Sequence, residues 1–167
     1  MKTAAILLLI LALLIGGAAI WGFSNTRLDM KVEDVQVLDA SQQMAEFERL
    51  SSLLTHNAVR GLVYGGEFTG NAADYVILQY TIRVRNRGLV KAEMLEAQVV
   101  PVKGDVLCYS QQEAMGGDVN ASIEAAPGQE LLFRCYLLTR KNLHAVRELH
   151  VSYYIWGNPF IIKLMYG

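Results

Sequence analysis

Hydrophobic residues follow two different patterns along this chain. Residues 3–26 include no charged side chain, and the run from Ala4 to Phe23 is apolar almost throughout. Farther along, apolar and polar residues alternate with a period of two, which is typical of β-strands with one buried face. The two patterns predict an N-terminal apolar helix followed by a β-rich domain.

The apolar run is long enough to cross a membrane. As an α-helix, about 20 residues rise about 30 Å, the thickness of the hydrocarbon core of a bilayer. Lys2 precedes the run, and Trp21 and Phe23 lie at its far end, where aromatic rings favour the headgroup region. We therefore predict a transmembrane signal-anchor helix over residues 1–23, with the rest of the chain outside the cytoplasm.

A cleaved signal peptide remains the alternative for the same segment. Small residues suited to cleavage occur at Gly17 and Ala19, and again at Gly22 and Ser24. In that case the protein would be secreted rather than anchored. Both interpretations export the remainder, and no cysteine follows the apolar run to carry a lipid.

The exported part is predicted to consist of a linker over residues 24–30 and one domain over residues 31–167. Residues 40–56 have the period of an amphipathic helix, with Asp39 as the expected N-cap and Gln42 as its capping-box partner. The other periodic segments are predicted strands, at 31–38, 59–69, 75–86, 93–102, 106–109, 122–125, 131–139, 149–156 and 160–166. Short strands at this spacing, together with one helix, predict a mainly β fold, an immunoglobulin-like antiparallel β-sandwich.

Three stretches resemble a known class of domain. They are Tyr80-Thr-Ile-Arg-Val-Arg-Asn-Arg-Gly88 followed by Ala92, Ala126-Pro-Gly-Gln-Glu130 before Leu131-Leu-Phe133, and Leu149 to Ile155. Together they resemble bacterial extracytoplasmic immunoglobulin-like modules of the adhesion or telokin-like type, over about residues 76–166. The resemblance implies a sandwich fold and an extracytoplasmic setting, and it implies no catalytic residue.

Charge excludes some classes of partner. The chain has 15 basic and 16 acidic residues and a formal net charge of -1. This near balance argues against nucleic acid as a partner and against a polybasic membrane-surface protein. The membrane is expected as a partner only through the N-terminal helix.

Few residues suggest chemistry. His56, His144 and His150 are too scattered for a metal site. The sequence contains no catalytic constellation and no nucleotide-binding loop, so we expect no metal, no cofactor and no enzymatic activity. Cys108 and Cys135 fall in separate predicted strands. They form either a disulfide, which an oxidising compartment permits, or two buried free thiols. A thiol-dependent enzyme is the remote alternative.

Two groups of residues could form a contact surface. If Val151, Tyr153 and Ile155 face the core, Tyr154 and Trp156 face outward, unless the helix at 40–56 covers them. Arg140, Lys141 and Arg147 form a basic cluster that is either a binding surface or a solvated connector.

The sequence thus predicts a membrane-anchored extracytoplasmic structural or interaction module that binds a protein or glycan at the cell envelope. An alternative is an accessory subunit of a larger membrane complex, because Gly16-Gly17-Ala18-Ala19 would let another helix approach closely.

Overall fold

A computed structural model describes residues 2–24, 27–56, 62–63, 68–114 and 121–167. Within these ranges the protein has three α-helices, one short 3-10 helix at Ala72–Asp74 and eight strands. The helices are α1 (Lys2–Ser24), α2 (Met44–Thr55) and α3 (Gln111–Ala114). The strands are β1 (Leu28–Asp39), β2 (Leu62–Val63), β3 (Tyr75–Asn86), β4 (Glu93–Val99), β5 (Asp105–Ser110), β6 (Glu130–Arg140), β7 (Arg147–Ile155) and β8 (Asn158–Tyr166).

The strands form two antiparallel sheets. The larger sheet has five strands in the order β1-β3-β6-β5-β2, and the smaller has three in the order β4-β7-β8. All the paired strands run antiparallel. The protein is therefore mainly β, as the alternating pattern predicted.

One apolar core lies between the two sheets. It contains Ile82 of β3 and Leu137 of β6 from the larger sheet, and Val99 of β4 and Val151 of β7 from the smaller one, all fully buried. The predicted inward set of Val151, Tyr153 and Ile155 is buried in this core. Alternation thus assigned the inner face of β7 correctly.

A second core lies on the outer face of the larger sheet. Phe47 and Leu50 of α2 pack there against Tyr75 and Ile77 of β3. The rings of Phe47 and Tyr75 have their centroids 5.9 Å apart. Both faces of β3 are consequently buried near its start, whereas alternation alone predicted one buried face.

The start of α2 differs from the prediction. The helix begins at Met44, and its N-cap residue Gln43 makes no side-chain capping bond. Asp39 instead accepts hydrogen bonds from the backbone N–H and the hydroxyl of Ser41, at 3.1 and 2.7 Å. The carboxylate closes a turn after β1, so the predicted capping box with Gln42 is wrong.

Other boundaries shift less. The first strand begins at Leu28 rather than at residue 31, because Leu28 and Met30 pair with Asn86 and Val84. The predicted strand at 122–125 is reduced to a single bridge between Ala125 and Ala92. The predicted strand at 59–69 lies largely outside the described residues.

Helix α1 stands apart from both cores. Its span from Thr3 to Gly22 has a mean hydropathy of 2.7. Residues 3–21 are exposed, and Gly22 at the end of the span is buried. Length and composition suit either a membrane anchor or a signal sequence.

Candidate functional site

The outer face of the three-stranded sheet is the leading candidate surface. Tyr154 of β7 pairs with Pro159 of β8, and Ser152 pairs with Ile161. Side chains of these positions point away from the shared core because successive residues of a strand alternate between faces. Ile161 and Met165 are both more than half exposed, and Tyr154 is half-buried. This surface, called the open face below, is covered by no helix within the described part of the chain.

A small charged cluster lies on the open face. Glu148 is 3.2 Å from Nε2 of His150 through one carboxylate oxygen, and 3.2 Å from Nζ of Lys163 through the other. His150 and then Lys163 hold the pKa of Glu148 below its ordinary value. The cluster places both signs of charge on the open face, where Glu148 is paired with the exposed Met165.

The predicted pair of outward aromatic residues is divided by the structure. Tyr154 lies in the strand on the open face, whereas Trp156 lies beyond it, in the turn between β7 and β8. Helix α2, which could have covered them, packs on the other sheet. Trp156 therefore remains 56% exposed.

The predicted basic cluster loses one member. Arg147 is only 3% exposed and forms a two-pronged ion pair with Asp105. Its Nε and Nη2 atoms lie 2.9 and 2.8 Å from the two carboxylate oxygens, and Asp105 also accepts from the N–H of Val102. The expectation that Arg147 belongs to a surface is thus corrected, because a carboxylate distant in sequence neutralises it in the interior.

The other two members remain at the surface. Arg140 and Lys141 are exposed at the end of β6, and Nζ of Lys141 lies 2.6 Å from Asp39. The hydrogen bond from Lys141, followed by those from Ser41, lowers the pKa of Asp39 to about 2. Lys141 therefore contributes to joining the ends of β1 and β6, and the cluster is smaller than the sequence suggested.

The two cysteines are buried and both are free thiols. They lie on neighbouring strands, but Cys108 is paired with Leu137, and Cys135 is paired with Ser110. This diagonal offset separates Cβ atoms by about 7 Å, well beyond the roughly 4 Å of a disulfide. The Cys135 thiol donates instead to the carbonyl of Ala97, 3.0 Å away. Of the two expectations for Cys108 and Cys135, the structure therefore has two buried free thiols rather than a disulfide.

Metal chemistry finds no support in the part of the chain that the structure describes. No group of three or more His, Cys, Asp or Glu side chains gathers there in a way that could hold a metal ion. The three histidines lie apart, His56 at the end of α2, His144 in the connector after β6 and His150 on β7.

Sequence reasoning missed the function of Asn86. Its side-chain amide donates to the carbonyls of Val90 and Ala125 at 2.8 and 2.9 Å, and its oxygen accepts from the N–H of Gly88. These bonds fix the loop between β3 and β4. The Asn-x-Gly spacing signalled a turn, but the partner at Ala125 is distant in sequence and could not be foreseen.

Comparisons with known proteins add little to this geometry. No protein-family model matches the chain, and no curated protein matches it. Two solved chains match, one of which is a FixG-related protein from Vibrio parahaemolyticus. It is 16% identical, with a TM-score of 0.37, over 64% of this chain and 89% of that chain. At that score the likeness carries no conclusion about fold or function.

Proposed function

We propose that this protein is a membrane-anchored immunoglobulin-like module that is held outside the cytoplasm and binds a protein partner at the cell envelope. The observation that carries the proposal is the contrast between α1 and the β domain. The helix is apolar along Thr3–Gly22 and exposed from residue 3 to residue 21, whereas the domain has its own buried cores. The apolar surface of α1 is not covered by the domain and is unfavourable in water, whereas the hydrocarbon core of a bilayer would accommodate it.

Strand order supports an immunoglobulin-like sandwich. With β1, β3, β4, β5, β6, β7 and β8 taken as strands A to G, the larger sheet begins A-B-E-D and the smaller is C-F-G. Constant-type immunoglobulin domains distribute their seven strands in this way. The additions here are α2 and the short strand β2.

The open face favours a protein as the partner. Ile161 and Met165 present exposed apolar groups, and strand β8 has no neighbour on its outer side among the described strands. An edge strand offers backbone donors and acceptors that a partner strand can pair with, and flanking apolar side chains add buried area. A glycan could not extend the sheet as a strand and would bury less apolar surface against these side chains.

The side of the membrane can be tested by labelling. Asn142→Cys introduces a thiol in an exposed turn, while Cys108 and Cys135 are buried and should react little. We expect a membrane-impermeant maleimide to label Asn142→Cys in intact cells. We also expect the labelled protein to stay in the membrane fraction after alkaline extraction. Thr3→Cys, at the other end of α1, is the matched control and should react only after the cells are permeabilised.

Other labelling results would decide against parts of the proposal. Labelling of Asn142→Cys only after permeabilisation would contradict an extracytoplasmic domain. A labelled protein recovered from the medium, whose N-terminus begins after Ala19 or Ser24, would replace the anchor by a cleaved signal peptide.

A further inference from the structure

The end of α1 touches one particular end of the β domain. Gly22 is buried, and a methyl group placed on it would lie 3.6 Å from Cη2 of Trp156 and 3.8 Å from Cγ2 of Val90. Trp156 belongs to the turn between β7 and β8, and Val90 belongs to the loop between β3 and β4. These two connections therefore lie at the level where the apolar helix ends.

Large apolar side chains are exposed at this same end. Leu89, Met94 and Trp156 are 52%, 59% and 56% exposed. Pairing of Glu93 with Tyr154 brings the start of β4 beside the turn that holds Trp156. The bonds of Asn86 hold the Leu89 loop in place. We call Leu89, Met94 and Trp156 the helix-proximal rim.

Backbone strain marks two members of the rim. Met94 and Trp156 are the non-glycine residues with positive φ in the described chain, at 52° and 49°. Such angles disfavour side chains of this size, and residues held in them concentrate at functional sites. Trp156 and Gly157 both have positive φ in a two-residue hairpin turn, where Asn-Gly is the usual pair. An exposed tryptophan there is a costly choice for stability alone.

We propose that the helix-proximal rim enters the headgroup region of the bilayer, so that the domain sits on the membrane instead of swinging from its anchor. This inference rests on the proposed function, because it requires α1 to span the membrane. Tryptophan favours the boundary between headgroups and acyl chains, and the rim lies where α1 would leave that boundary. Arg85 and Arg87 line a shallow cleft at the same end, and the proposed placement would bring them near the lipid phosphates.

The opposite end of the domain lies out of reach of the bilayer. Strand β1 has 12 residues, from Leu28 beside the rim to Asp39, and an extended strand of this length spans roughly 36 Å. Asp39 contacts Lys141, so the neighbouring Asn142 marks the distal end. The proposal therefore predicts lipid contact at one end of the domain and none at the other.

Tryptophan fluorescence of the full chain can test this difference. The chain has two tryptophans, so Trp21→Phe leaves Trp156 as the sole tryptophan. In phosphatidylcholine–phosphatidylglycerol vesicles, we expect Trp156 emission to be shifted to the blue. It should be largely lost with lipids brominated near the headgroup, and lost less with lipids brominated near the bilayer centre.

Three variants serve as controls. Trp21→Phe/Trp156→Phe/Asn142→Trp reports from the distal end and should resist quenching. Trp21→Phe/Trp156→Phe/Leu89→Trp places the only tryptophan at a second position of the rim, and its emission should be quenched as that of Trp156 is. Trp156→Phe alone leaves Trp21 as the reporter of the anchor.

The outcomes separate the rim from the anchor. Quenching of Trp21 without quenching of Trp156 and Leu89→Trp would overturn the rim and leave the anchor intact. No quenching of any tryptophan would overturn both. Equal quenching of Asn142→Trp and Trp156 would show contact along the whole domain and would also overturn the rim.

Discussion

The outer faces of the two sheets meet different environments. On the five-stranded sheet, α2 buries Phe47 and Leu50 against β3. On the three-stranded sheet, Ile161 and Met165 remain exposed beside the Glu148 cluster. Both sheets pack on the same inner core, so the inner core does not account for this difference between the outer faces.

Under the proposed function, the two faces have different tasks. A sheet needs one apolar face to fold, and a second buried face adds stability at the cost of surface available for binding. Helix α2 stabilises the domain by covering part of the larger sheet. Under the proposed function, the uncovered smaller sheet is the surface that binds the partner. Substitutions on the two sides should therefore differ in what they disturb.

The largest difference is expected between two ion pairs. Asp105→Ala leaves Arg147 charged and buried, so we expect a loss of about 3–5 kcal/mol in the free energy of unfolding. Glu148→Ala removes the partly exposed contacts with His150 and Lys163 on the open face and should cost less than about 1 kcal/mol. Denaturant unfolding of the full chain in detergent measures both. Equal costs would mean that Asp105 is not truly buried.

A comparable contrast is expected for apolar side chains. Leu50→Ala opens a cavity under α2, where Leu50 is 1% exposed, and should cost about 2–5 kcal/mol. Ile161→Ala on the open face should change stability by no more than about 0.5 kcal/mol. The same unfolding experiment applies. A large cost for Ile161→Ala would show that the open face is covered in the folded protein.

The turn that ends the smaller sheet should respond in the opposite direction. Trp156→Asn restores the preferred residue at a positive φ of 49°, so the domain should gain about 1 kcal/mol. Gly157→Ala, the control at the next position, should lose stability because its φ of 75° disfavours a side chain. Thermal unfolding distinguishes the two. A loss with Trp156→Asn would mean that the tryptophan is part of the domain core.

The smallest effect concerns acid. The pKa of Asp39 is lowered to about 2 by Lys141 and Ser41, from about 4 in an unfolded chain. Its contribution to stability is therefore present above pH 4 and is lost as the pH falls towards 2. Thermal midpoints of Asp39→Asn should fall less over this window than those of the native chain. The control on the open face is Glu148→Gln, which removes a carboxyl whose pKa is also lowered. Identical pH profiles for Asp39→Asn and the native chain would contradict the pairing with Lys141.

Local pattern was sufficient for much of the fold. Strand β3 runs from Tyr75 to Asn86 as predicted, because alternation, the following Asn-x-Gly and the preceding turn residues agree. The inner face of β7 was assigned correctly for the same reason. The start of α2 was not, because Asp39 can cap either a helix or a turn, and tertiary contacts with Lys141 decide between them.

The candidate site was less predictable than the fold. Alternation placed Tyr154 on an outward face, but which sheet α2 would cover depends on packing between distant segments. Arg147 looked like a surface cation because its partner Asp105 is far away in the sequence. Trp156 was expected beside Tyr154, yet a tight turn turns it towards α1.

Site-specific photo-crosslinking in native membranes tests the open face most directly. A crosslinker at Ile161 or at Met165 should yield the same adduct of defined mass, since both positions face one partner. A crosslinker at Leu132, which is similarly exposed on the outer face of the larger sheet, should not yield it. The absence of an adduct at Ile161 and Met165, or the same adduct at Leu132, would contradict a binding surface on the three-stranded sheet.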